Sequence, residues 1–123
     1  MKILELAKVP KYEYIFSVND GYTSNCFVIT DRNQLEELLF YLKQFLANQY
    51  VSTALFDGNY SMILETKYKF LIITIAYRIE VGKLFTLEFR LSKTECKKLV
   101  KVIEKELKQK TKIIYRKELK LKK

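Results

Sequence analysis

The sequence has no histidine and no tryptophan, and its 123 residues include only one proline, three glycines and two cysteines. Nucleophilic triads and metal-bound water usually depend on histidine, so its absence argues against the commonest hydrolytic sites. Three glycines cannot build the loops that hold nucleotide phosphates. Close carboxylates such as Glu36/Glu37 and Glu104/Glu106 point to different sides of a helix. We therefore expect a protein that is not an enzyme and that uses no cofactor and no metal.

The two cysteines, Cys26 and Cys96, lie 70 positions apart with no CxxC motif. A structural zinc site needs about four nitrogen or sulfur ligands, and a disulfide framework needs more cysteines, so we expect free thiols. The N-terminal segment MKILELAKVP has too few consecutive apolar residues for a signal peptide. The longest apolar stretch, Phe70 to Tyr77, is far shorter than a membrane span. These features predict a cytoplasmic protein that does not use a membrane.

Enough apolar sequence is present to build a core, since 49% of the residues are hydrophobic and 14% are aromatic. No stretch rich in glycine, serine or proline divides the chain, so residues 1–123 are predicted to form a single domain. The predicted class is α+β, with a largely antiparallel sheet, two helices and the element order ββα-ββββα-β. Residues 111–123 would form a basic C-terminal strand or tail, and its lysines suit an edge strand.

Alternation of apolar and polar residues, together with turn signals, predicts the strands. They are expected at 11–18, 23–30, 50–56, 60–66, 69–81 and 84–91. Asn19-Asp20-Gly21 and Asp57-Gly58-Asn59 are typical hairpin turns. Residues 70–76 are apolar on both faces, which predicts a central strand covered by helices on one face and by another layer, such as a partner, on the other.

Capping residues predict where both helices begin. Asp31, with Gln34 three residues later, and Ser92, with Glu95 three residues later, match the capping-box pattern. The first helix then shows one wide apolar face and ends near Asn48. In the second helix one sector of about 100° is apolar and an opposite sector of similar width carries lysines. The apolar residues are Cys96, Leu99, Val100, Ile103 and Leu107.

The net charge of +9 comes entirely from the last quarter of the chain. Residues 1–91 contain 10 basic and 10 acidic side chains, whereas residues 92–123 contain 13 basic and 4 acidic ones. Such asymmetry favours an acidic partner, either a nucleic-acid phosphate backbone or an acidic protein surface. The alternative is a solvated lysine face without a partner.

The lysine sector gives the leading hypothesis, a non-enzymatic protein that binds nucleic acid largely independently of sequence. Lysine contacts to phosphate supply affinity, whereas forked arginine, asparagine or glutamine contacts read base edges. The predicted phosphate-binding residues are Lys97, Lys98, Lys101, Lys105, Lys108, Arg116, Lys117 and Lys120.

A second hypothesis is a small adaptor or inhibitor, of the phage or mobile-element type, that docks on a partner protein. Its contact would be the exposed face of the central sheet or the lysine sector against an acidic patch. An edge strand or an uncovered sheet face would also permit a homodimer. Aromatic residues on strands and turns could stack on single-stranded bases, although most are expected to belong to the core or its rim. The candidates are Tyr12, Tyr14, Phe16, Tyr22, Tyr60, Tyr68, Tyr77 and Tyr115.

Overall fold

The structure, a computed structural model, describes residues 2–9, 13–108 and 116–121. Eight strands and two helices lie within these residues. The strands are β1 (Lys2–Val9), β2 (Glu13–Asn19), β3 (Ser24–Ile29), β4 (Ser52–Asp57), β5 (Tyr60–Lys67), β6 (Phe70–Glu80), β7 (Lys83–Leu91) and β8 (Arg116–Leu121). The helices are α1 (Arg32–Leu46) and α2 (Lys93–Lys108).

The strands form two antiparallel sheets of four strands each. Sheet A has the order β3-β2-β1-β8 and sheet B has the order β4-β5-β6-β7. The predicted α+β class, with antiparallel pairing and two helices, is confirmed. The basic strand β8 lies at an edge of sheet A, as predicted, whereas residues 111–115 and 122–123 lie outside the described residues. Hairpin signals identify neighbouring strands, but they do not show which hairpins share a sheet.

The structure corrects the predicted element order at its beginning, because β1 precedes the two strands expected there. The segment is rich in leucine, glutamate, alanine and lysine, which favour a helix in isolation. Its strand conformation depends on pairing with both neighbours. Leu6, for example, lies opposite Phe16 of β2 and Lys117 of β8.

One hydrophobic core joins the inner faces of both sheets to both helices. The alternation predicted for β3 is observed, since Asn25, Phe27 and Ile29 are buried while Cys26 and Val28 are half-buried. β6 is an internal strand of sheet B, as predicted. Its residues alternate between the core and a half-buried outer face along most of its length.

The buried amide of Asn25 ties the two sheets together. Its Nδ2 donates hydrogen bonds to the carbonyl oxygen of Ile75 on β6, at 2.9 Å, and to that of Phe85 on β7, at 3.2 Å. Its Oδ1 accepts a hydrogen bond from the backbone N–H of Cys26, at 3.1 Å. A polar group at this depth is stable because both its donor and its acceptor are used.

The two halves of the fold repeat one arrangement that no sequence period revealed. Each sheet has an outer strand, β3 or β7, that leads directly into a helix. The third-last and last residues of each of these strands, Phe27 and Ile29 in β3 and Phe89 and Leu91 in β7, are all fully buried. In sheet B all four strands precede the helix, whereas the fourth strand of sheet A, β8, comes from the C-terminal end.

Candidate functional site

A reciprocal capping box fixes the start of α2, the helix that carries most of the predicted contact residues. Ser92 Oγ accepts a hydrogen bond from the backbone N–H of Glu95 at 3.1 Å. Glu95 Oε1 accepts one from the backbone N–H of Ser92 at 3.0 Å. The capping box predicted at Ser92 is therefore formed. The box predicted at Asp31 is formed only in part, because Asp31 Oδ1 accepts from the backbone N–H of Asn33 at 2.9 Å whereas Gln34 Nε2 donates to the carbonyl oxygen of Phe56 at 3.3 Å.

Contacts with α1 fix how α2 is oriented. At the N-terminal end of α2, Lys93 Nζ donates hydrogen bonds to the carbonyl oxygen of Phe45 and to Asn48 Oδ1, both at 2.6 Å. At the other end, the guanidinium of Arg32, on the first turn of α1, donates to the carbonyl oxygen of Leu107. The two helices therefore run antiparallel. These contacts at both ends of α2 also determine which of its sides faces away from the core.

The outward side of α2 carries a continuous lysine surface, which we call the basic face. It spans about 16 Å along the helix axis at a rise of 1.5 Å per residue. All five of its residues are exposed. They are Lys97, Lys98, Lys101, Lys105 and Lys108.

The glutamates of α2 do little to neutralise the basic face. Glu95 forms part of the cap, and Glu106 is buried at 3% exposure. Glu104 lies at the margin, where its Oε2 is 3.3 Å from Lys43 Nζ on α1. Since Lys43 engages this carboxylate, the ammonium groups around it keep their net positive field. Lys101, Lys105 and Lys108 join Glu104 around a shallow depression of about 400 Å³.

The structure brings five of the eight predicted contact residues onto one helix. The other three, Arg116, Lys117 and Lys120, belong to β8, where they pair with Ala7, Leu6 and Ile3 of β1. Their side chains lie outside what the structure describes. The structure therefore describes the side chains of all five lysines of the basic face. For β8 it describes the backbone pairing with β1.

The buried side of α2 is wider than the helical wheel predicted. The predicted apolar residues are buried except Leu107, which is half-buried, but Val102 and Glu106 are buried as well. A helical wheel drawn from hydrophobicity alone places a glutamate on the exposed side. The burial of Glu106 could therefore not be predicted from the sequence.

Cys96 lies at the centre of the buried side. It is fully buried, and its Sγ lies 3.6 Å from the carbonyl oxygen of Leu42. Burial raises the pKa of this thiol to about 12, although the positive charge of Lys93 acts in the opposite direction. The thiol is therefore protonated near neutral pH and serves as a small packing residue. Among the described side chains, no three metal-ligating groups come together.

A second exposed surface lies on the outer face of sheet B. Phe56 on β4 is 70% exposed and Leu84 on β7 is 60% exposed. Together with Ile63 and Arg78 they line a depression of about 320 Å³. At the β6–β7 turn Val81 is also exposed. The sequence predicted an apolar outer face for the central strand. The exposure of Phe56, Val81 and Leu84 around that face was not predicted from the sequence and is seen only in the structure.

The aromatic residues named as stacking candidates divide between core and surface. Tyr14 and Phe16 are buried, and Tyr60 packs on Tyr77 with their ring centroids 4.8 Å apart. Tyr22 and Tyr68, however, are almost fully exposed. Tyr12 and Tyr115 lie outside the described residues.

The chain matches no protein-family model, and a search of curated proteins gives no significant match. In the part of the chain that the structure describes, neither helix is long and apolar enough to cross a membrane.

Proposed function

We propose that the protein binds nucleic acid through the basic face of α2, without enzymatic activity and largely independently of sequence. The observation that carries this proposal is the set of five exposed lysines on one helix, where Glu95 is used in the cap, Glu106 is buried and Glu104 is paired with Lys43. A binding protein of this kind gains affinity by releasing the cations condensed on the phosphate backbone. Arg116, Lys117 and Lys120 on β8 stay contact residues predicted from the sequence.

The proposal of sequence-independent binding follows from the residue types. Lysine contacts phosphate as a point charge, whereas base edges are read by forked groups such as guanidinium. Of the described arginine side chains, Arg32 is engaged with α1 and α2, and Arg78 and Arg90 belong to sheet B. The basic face itself contains lysine alone. A cytoplasmic location stays a prediction from the sequence.

Fluorescence anisotropy with labelled oligonucleotides tests the proposal directly. At about 50 mM salt we expect micromolar or tighter binding, which weakens steeply at about 200 mM. The variant Lys97→Glu/Lys101→Glu should lose at least tenfold in affinity because two phosphate contacts become repulsive. Arg78→Glu/Lys83→Glu makes the same charge change on sheet B and serves as the matched control. Loss of binding in both pairs alike, or no binding by the wild type, would contradict the proposal.

The outer face of sheet B favours a second candidate function, a docking protein of the adaptor or inhibitor class. Large apolar side chains exposed together, such as Phe56 and Leu84, commonly mark protein contacts. In this case a partner should bind the wild type and the Lys97→Glu/Lys101→Glu variant equally, but should not bind Phe56→Ser/Leu84→Ser. Circular dichroism of the serine variant would show that the sheet is intact. If the serine variant bound the partner as the wild type does, this candidate would be excluded.

A further inference from the structure

Three segments distant in sequence meet at the N-terminal end of α2 and enclose a depression of about 300 Å³. They are the C-terminal end of α1, the β5–β6 turn and the first turn of α2. We call this the aromatic depression. The residues that matter for its chemistry are Asn48, Gln49, Tyr50, Tyr68, Lys69 and Lys93.

Two tyrosine rings stand at its rim instead of packing in the core. Tyr50 is 71% exposed and Tyr68 is 101% exposed. Because neither ring is removed from water on folding, neither contributes much hydrophobic free energy to the stability of the fold. Exposed, flat rings beside a concave surface are the platforms on which proteins stack single-stranded bases.

The backbone at Tyr68 supports a role other than stability. The β5–β6 connection contains only two residues, Tyr68 and Lys69, and Tyr68 has a φ of 55°. Glycine or asparagine normally fills such a left-handed turn position, because a bulky side chain is strained there. Residues in sparsely populated backbone conformations often lie at binding sites, and the ring of Tyr68 is exposed.

The charge around the rings is positive. Lys69 and Lys93 both line the aromatic depression, and none of its lining residues is acidic. The ammonium group of Lys93 is held in place by two hydrogen bonds, and it lies 4.6 Å from the ring centroid of Phe45. The amides of Asn48 and Gln49 add hydrogen-bonding groups suited to base edges.

The aromatic depression also continues the basic face. Lys93 lies one helical turn before Lys97, and the distance from Lys93 to Lys108 along the axis is about 22 Å. A strand whose phosphates follow the basic face would therefore bring its next bases to the two tyrosines.

We propose that the aromatic depression stacks the bases of a single-stranded nucleic acid on Tyr50 and Tyr68. This inference rests on the proposed function of the basic face, and it adds a preference for single strands over duplexes. A duplex keeps its bases paired inside the helix, so it reaches the lysines but cannot offer a base to the rings.

The test compares a single-stranded oligonucleotide of about 12 nucleotides, a length within the usual binding-site range, with the matching duplex, in DNA and RNA forms. We expect the wild type to bind the single strand more tightly. Tyr50→Ala/Tyr68→Ala should lose at least tenfold in single-strand affinity, as expected when stacking is removed, and should bind the duplex within about twofold of the wild type. Tyr68→Phe should keep the single-strand affinity, because a phenyl ring still stacks.

Tyr22→Ala is the matched control, since Tyr22 is 96% exposed on the β2–β3 turn and lies outside the aromatic depression. It should bind both oligonucleotides as the wild type does. If the double alanine variant kept its single-strand affinity while Lys97→Glu/Lys101→Glu lost it, the stacking proposal would be overturned and the proposed function would stand. If the wild type bound neither oligonucleotide, both proposals would fall.

Discussion

At the scale of single residues, Asn25 shows how one polar side chain can join two sheets. Replacing it with alanine leaves the carbonyl oxygens of Ile75 and Phe85 without their amide donor in a buried region. We expect Asn25→Ala to lower the free energy of unfolding by about 2 kcal/mol. Asn25→Asp should cost more, because it places a carboxylate against two carbonyl oxygens.

Urea denaturation, followed by circular dichroism, measures both changes. Asn33→Ala is a suitable comparison, since Asn33 is exposed at the start of α1 and should change the stability by less than about 0.5 kcal/mol. Equal stability of Asn25→Ala and the wild type would contradict the role given to this amide.

Asp20 should make the stability of the β2–β3 turn depend on pH. Its Oδ1 accepts hydrogen bonds from the backbone N–H groups of Thr23, at 2.8 Å, and Tyr22, at 2.9 Å. These bonds, that of Thr23 first, hold the pKa of Asp20 below its ordinary value of 3.8. A carboxylate whose pKa is lowered by folding stabilises the protein above its unfolded pKa, and this contribution is lost as the pH falls through the folded value.

We therefore expect the wild type to be more stable than Asp20→Asn near neutral pH. The difference should shrink as the solution is acidified through the lowered pKa of Asp20. Urea midpoints of the two proteins, measured over a pH series, test this. A difference that stayed constant down to the most acidic point, or grew there, would count against the turn interaction.

At the scale of elements, the cap of α2 holds the helix that carries the proposed site. Ser92→Ala removes the acceptor for the N–H of Glu95 and should lower the free energy of unfolding by about 1 kcal/mol. Thr94→Ala, an exposed change in the same turn, should have little effect. Thermal or urea unfolding distinguishes the two, and equal stability of both variants would argue against the cap.

The elements also show what the sequence could and could not predict. The capping boxes, the lysine sector and the hairpin turns depend on residues close together in the chain, and the structure confirms the helices and hairpins they predicted. β1 was not predicted, because its strand conformation comes from pairing with β2 and β8. The aromatic depression was also missed as a unit, because Tyr50, Tyr68 and Lys93 come together only when α1, sheet B and α2 pack.

At the scale of the whole molecule, charge and apolar surface lie on different sides of one core. The basic face occupies α2, whereas Phe56 and Leu84 stand on the outer face of sheet B. The described part of this excess charge therefore forms a defined surface on α2. A homodimer stays a prediction from the sequence.

The most direct test of the central claim is the salt dependence of duplex binding. Each lysine that neutralises a phosphate contributes about 0.9 to the slope of log affinity against log salt concentration. Lys97→Gln/Lys101→Gln should reduce that slope by nearly two, while Arg78→Gln/Lys83→Gln, which removes the same charge from sheet B, should leave it unchanged. If both pairs reduced the slope equally, or neither did, the basic face of α2 would not be the surface that contacts phosphate.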